Sequence, residues 1–124
     1  MKISDIHSFL EKKNPLNEFL DKYKNEFENY NKLMNKKGSS VPIYIEEDFN
    51  FNFSKKYLLF ISNLFLSELL TEAQINYIVD CILLSDNINI NNENVLELLE
   101  TYTDSEVNGN LTFKYVQDVV LKLT

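Results

Sequence analysis

A single histidine and a single cysteine are the chain's ready-made base and nucleophile. His7 stands near the start, and a general base needs both a partner to orient it and a pocket around it. No neighbour in the sequence supplies either, so His7 reads as a helix-edge or surface residue. Cys81 shares a helical run with Ile78, Val79 and Ile82, which predicts a buried, inert thiol rather than a nucleophile. One His and one Cys cannot assemble a zinc constellation. Gly38 and Gly109 are isolated from each other, so no glycine-rich loop exists to cradle a phosphate. No pair of carboxylates has a spacing that points to acid–base work. The expectation is a protein that is not an enzyme and uses no metal or cofactor.

The sharpest local pattern runs from Asp104 to Tyr115, Asp-Ser-Glu-Val-Asn-Gly-Asn-Leu-Thr-Phe-Lys-Tyr. Oxygen-bearing side chains stand at its first, third, fifth and ninth positions, glycine at the sixth and leucine at the eighth. It is similar to the calcium loop of EF-hand proteins. That loop needs six or more oxygens, including a bidentate Glu at the twelfth position, and here Tyr115 occupies the twelfth. Asn108-Gly109 as a tight turn and Thr112 as a helix cap explain the same residues more simply. A calcium-responsive binding module is therefore an alternative reading and not the first.

The elements that position these residues follow from apolar periodicity. Ile3, Ile6 and Leu10 predict a short first helix with Ser4 available as its cap. Asn14-Pro15 reads as cap and first turn of a second helix. Its stripe of Leu16, Phe19, Leu20, Tyr23, Phe27, Tyr30 and Met34 continues without a break toward a stop at Gly38. Residues 41–53 predict a long extended loop or a short hairpin: Val41-Pro42 disfavours helix, and Phe49, Phe51 and Phe53 alternate with Asn50 and Asn52. Ser54 opens a helix through Leu70 that is apolar on nearly all sides. Thr71 and Gln74 form a capping box, with Leu70 and Ile75 as its hydrophobic staple. An Asn-rich turn from Asn87 to Asn92 precedes a helix carrying Val95, Leu98, Leu99 and Tyr102, and Thr112 opens the last helix. The expected fold is mainly α, a compact bundle of five to six helices forming a single domain over residues 1–124.

Composition bounds the function. Of 124 residues, 44% are hydrophobic and 13% aromatic, enough to fill a core. The net charge is −7 and the pI about 4.7, which argues against direct contact with nucleic acid. The longest apolar stretch, Tyr57 to Leu70, is interrupted by Ser62, Asn63, Ser67 and Glu68 and is too polar to span a bilayer. With no signal-peptide pattern at Met1-Lys2-Ile3 the expected location is the cytoplasm. The charge is unevenly placed: residues 1–45 carry eight Lys against six acids, while residues 46–124 carry four Lys against thirteen. Glu46, Glu47 and Asp48 open the extended loop. Glu93, Glu97 and Glu100 recur at helical steps opposite an apolar stripe, and Asp104 and Glu106 extend that end. Such a negative surface steers association with a cationic cleft. Tyr44, Phe49 and Tyr102 are the candidate aromatic anchors among these charges.

The chain resembles the small acidic immunity proteins of bacterial polymorphic toxin systems, including contact-dependent growth inhibition. The likeness rests on Asn76-Tyr77-Ile78-Val79-Asp80-Cys81, entered through Leu70-Thr71, and on Thr103 to Thr112 with its Asp-x-Glu-x-Asn-Gly core. Size, acidity and a Lys-, Asn- and Ile-rich composition complete it. The resemblance implies a cytoplasmic partner protein that neutralises a cognate toxin C-terminal domain, a basic nuclease whose cleft the acidic residues would fill. A phage-type anionic inhibitor of a host nuclease is a further alternative.

Overall fold

The computed structural model describes residues 1–34, 43–103 and 110–124. Among these, seven helices and two two-residue strands follow one another. The helices α1 (Ile3–Leu10), α2 (Leu16–Lys22) and α3 (Lys24–Met34) lead to β1 (Phe51–Asn52). Then come α4 (Lys55–Leu66), α5 (Glu72–Leu84), β2 (Ile88–Asn89), α6 (Glu93–Thr103) and α7 (Phe113–Leu123). The fold is mainly α.

Helix α4 is the centre, packing on α1, α5, α6 and α7, while α5 also packs on α3. Its apolar run allows this: Leu58 and Ile61 are wholly buried, with Tyr57 and Phe65 close behind. Burying each such aliphatic side chain contributes about 1.5–3 kcal/mol. Between α4 and α6, Ser62 and Tyr102 satisfy each other inside the core, with their oxygens 2.6 Å apart. Helix α5 begins as its sequence predicts. Gln74 N–H donates to Thr71 Oγ1 at 3.1 Å, and Thr71 N–H donates to Gln74 Oε1 at 2.9 Å. Thr112 caps α7 by accepting from Tyr115 N–H.

Several expectations need correction; Pro15, expected as the first helical residue behind an Asn14 cap, itself holds the cap position of α2. Ser4 does not cap α1: it lies inside the helix, and Lys2 holds the cap position without a side-chain bond. The expected single helix over residues 16–34 is two helices, because the chain leaves helical geometry at Tyr23 (φ −108°, ψ 18°). Tyr23 is buried, its hydroxyl accepts from Lys2 N–H and donates to Asp5, and this tertiary anchoring outweighs the unbroken apolar period. Helix α4 stops at Leu66 and not Leu70. Glu68 turns to φ 62°, with Glu68 N–H donating to the Phe65 carbonyl and Leu69 N–H to that of Leu64, the Schellman closure of a helix end. Helix α1 ends in the same way at Lys12, also at φ 62°. Finally, Ser54 precedes α4 but makes no side-chain cap, and its buried hydroxyl has no partner among the described residues. Gly38, the expected stop of the third helix, lies outside the described residues.

The extended segment is a crossover and not a hairpin. β1 pairs in parallel with β2, Phe51 opposite Ile88 and Asn52 opposite Asn89. Parallel pairing requires a long connection, which α4 and α5 provide. The Asn-rich stretch expected as a turn therefore contributes a strand, fixed by the buried Ile88.

Candidate functional site

The acidic segment Glu46-Glu47-Asp48 is a strap across the start of α1. The first N–H groups of any helix lack intrahelical acceptors. In α1 that of Asp5 turns back to the Lys2 carbonyl and that of Lys2 donates to the Tyr23 hydroxyl. The other two are taken by the strap: Ile3 N–H donates to the Glu46 carbonyl at 3.0 Å, and Ser4 N–H to Asp48 Oδ1 at 2.9 Å. Ser4 Oγ donates to Asp48 Oδ2 at 2.6 Å. These two bonds from Ser4 hold the Asp48 carboxyl below its ordinary value. A parallel bridge of Lys2 with Glu46 aligns the strap with the chain start.

Glu47 ties the strap to the other side. Its carboxylate accepts from Ser85 Oγ at 2.7 Å and from Asp86 N–H at 3.0 Å, and its carbonyl accepts from the Asn87 side chain at 3.1 Å. The strap thus joins α1 to the α5–β2 turn, and Asp86 joins its negative charges. Two of the strap's three carboxylates, all predicted for partner contact, already make bonds within the molecule. Glu46 is the third, exposed and with no bond to its carboxylate among the described residues.

Aromatic side chains flank the strap. Tyr44 is 74% exposed and Phe49 41%. Phe49 and Phe51 lie against His7, with ring centroids 4.8 and 4.9 Å away, and His7 Nε2 is 3.7 Å from Glu11. His7 is thus a helix-edge residue that seats the strap's aromatic end. Nothing in the sequence around His7 signals this, because its aromatic partners Phe49 and Phe51 lie more than forty residues away.

The remaining candidates divide. Glu93, Glu97 and Glu100 are exposed along α6, opposite the buried Val95, Leu98 and Leu99. Tyr102 is only 3% exposed and bonded to Ser62; burial pushes its hydroxyl up to about 12. It faces the core and cannot serve as a surface anchor. Its apolar neighbours on the stripe were the sequence signal for that. Asp104 and Glu106 lie outside the described residues, as does the first half of the calcium-like loop. Tyr115, at that loop's twelfth position, donates its hydroxyl to Thr101 and packs edge-on to Tyr102. No group of three or more His, Cys, Asp or Glu among the described residues is placed to hold a metal. Cys81 is buried as expected, and desolvation pushes its thiol up to about 12.

Sequence reasoning passed over Glu26. On α3, its Oε1 accepts from the Met1 amino group at 2.9 Å and from the Tyr77 hydroxyl at 2.8 Å. The same amino group donates to the Tyr44 carbonyl at 2.7 Å. Tyr30, one turn further along α3, donates to Asp80 Oδ2 at 2.6 Å. Comparison with protein-family models, curated proteins and solved structures finds no match.

Proposed function

We propose that this chain binds and neutralises a cognate bacterial toxin domain, acting as an immunity protein through its acidic surface. The toxin domain would be a basic nuclease, and the complex would form in the cytoplasm. The observation that supports this is the strap. Glu46, Glu47 and Asp48 are held in place by bonds to two separate elements and stand between the exposed rings of Tyr44 and Phe49. A pre-ordered negative segment with aromatic flanks loses little freedom on binding and complements a cationic cleft. No helix among the described residues is long and apolar enough to cross a membrane.

The test is co-expression with the product of the adjacent upstream gene, assayed as the toxin. Growth rescue and a stable one-to-one complex are the expected result. Glu46→Lys should weaken that complex about tenfold, mainly through slower association, with the difference shrinking between about 50 and about 500 mM salt. Capture of no toxin domain, with growth unprotected, overturns the reading.

A further inference from the structure

The edge formed by α1 and the strap is charged oppositely at its two ends. Around the first turn of α1 stand Asp5, Glu46, Glu47 and Asp48. Lys2 and Lys22 offset part of this charge, Lys22 by pairing with Asp5 at 2.8 Å. Around the last turn stand Lys12 and Lys13, joined by Lys55 and Lys56 of α4, all four exposed. Lys56 Nζ lies 3.7 Å from Glu11, which brings the two lysine pairs onto one surface. Phe49 sits between the ends, 41% exposed, with its ring against His7 in the middle of α1.

Folding alone does not call for this arrangement. The first turn of α4 carries no acidic residue, and Lys55 and Lys56 stand there against the positive end of its dipole. Lys12 has φ 62°, a backbone position that glycine holds at less cost. Its Nζ lies 5.3 Å above the Phe60 ring, on a groove of about 520 Å³ that Lys56 and Tyr57 also line. Local costs gathered at one charged surface point to a contact outside the molecule.

We propose that this edge pairs with the same edge of a second copy of the chain, about a two-fold axis through Phe49. Helix α1 has eight residues and is about 12 Å long. A half-turn of one copy therefore lays its acidic end on the lysine end of the other, and the reciprocal contact forms at the same time. That self-complementarity is what an isologous interface requires. Glu46, whose carboxylate makes no bond among the described residues, meets Lys12 of the second copy, and the two Phe49 rings meet at the axis. The patch is small, so the dimer is transient, with a Kd of about 10–100 µM at about 50 mM salt. The pairing does not rest on the toxin reading, although both use the strap.

The experiment is sedimentation velocity of the whole chain from about 10 to about 500 µM. A monomer–dimer equilibrium with no larger species is expected at about 50 mM salt, weakening about tenfold at about 500 mM. Glu46→Lys and Lys12→Glu should each weaken the dimer about tenfold. Both together in one chain should restore it, since the reversed charges again meet opposite signs. A fold defect in one variant is not repaired by the other, so rescue identifies the contact. Phe49→Cys under mild oxidation should give a disulfide-linked dimer, because a residue on the axis meets its own copy. Cys81 is buried and does not compete. A monomer at every concentration, or a double variant no better than the single ones, overturns the proposal. Open-ended oligomers overturn the two-fold axis, as does a Phe49→Cys chain that stays unlinked while the parent dimerises. None of these readouts uses a toxin, so the dimer and the immunity reading fail separately.

Discussion

Asp80 shows how one residue sets a local balance. It sits on α5 among largely buried neighbours, and desolvation raises its carboxyl above the ordinary 3.8, partly offset by hydrogen bonds from Tyr30 and Thr103. A raised carboxyl means that the folded chain holds a proton more tightly than the unfolded one. Stability from this group therefore falls as pH rises from 3.8 through the folded value. Asp80→Asn keeps an acceptor for Tyr30 and removes the buried charge. It should raise the melting temperature at pH 7 by a few degrees, equivalent to about 1 kcal/mol, and the gain should vanish near pH 4. Thermal melts at the two pH values check this; a loss at pH 7 would mean that the charge itself is needed by its hydrogen bonds.

At the scale of elements, the strap is a helix cap supplied from more than forty residues away. Asp48 performs for α1 what a local Ser or Asp performs for most helices. Asp48→Ala should cost about 1 kcal/mol. Its carboxyl is lowered in the fold, so the stabilisation is present above the ordinary 3.8 and lost as pH falls through the folded value. The difference in melting temperature between Asp48→Ala and the parent should accordingly shrink in acid. Amide exchange at Ser4 should accelerate in the variant, and an unchanged rate would show that the Glu46 main chain holds α1 alone.

For the whole molecule, the question is which negative face meets a partner. The strap carries Glu46 and Glu47, with Asp86 N–H bonded to Glu47, whereas Glu93, Glu97 and Glu100 stand on α6, which packs on α5 and α4. Exposed charges contribute little to folding, so Glu97→Lys with Glu100→Lys should leave stability within about 0.5 kcal/mol. If α6 shares in steering, the pair should slow association with the toxin domain about as much as Glu46→Lys does. Stopped-flow rates at low salt compare the two faces directly, and no change with the α6 pair would confine the interface to the strap.

What could be read from the chain alone was local. The apolar faces of α1, α4, α5, α6 and α7 repeat at steps of three and four, and the Thr71–Gln74 box joins residues within one turn. Buried Cys81 follows from its immediate neighbours for the same reason. Tertiary structure alone decided the break at Tyr23, the parallel pairing of Phe51 with Ile88, and the use of Asp48 and Glu47 as internal ligands. It also placed Glu26 among the tyrosines. Each of these joins residues far apart in sequence through single hydrogen bonds or ring contacts. Such contacts leave no period along the chain, because the partner that satisfies them is chosen by the packing of helices and not by the residues beside them.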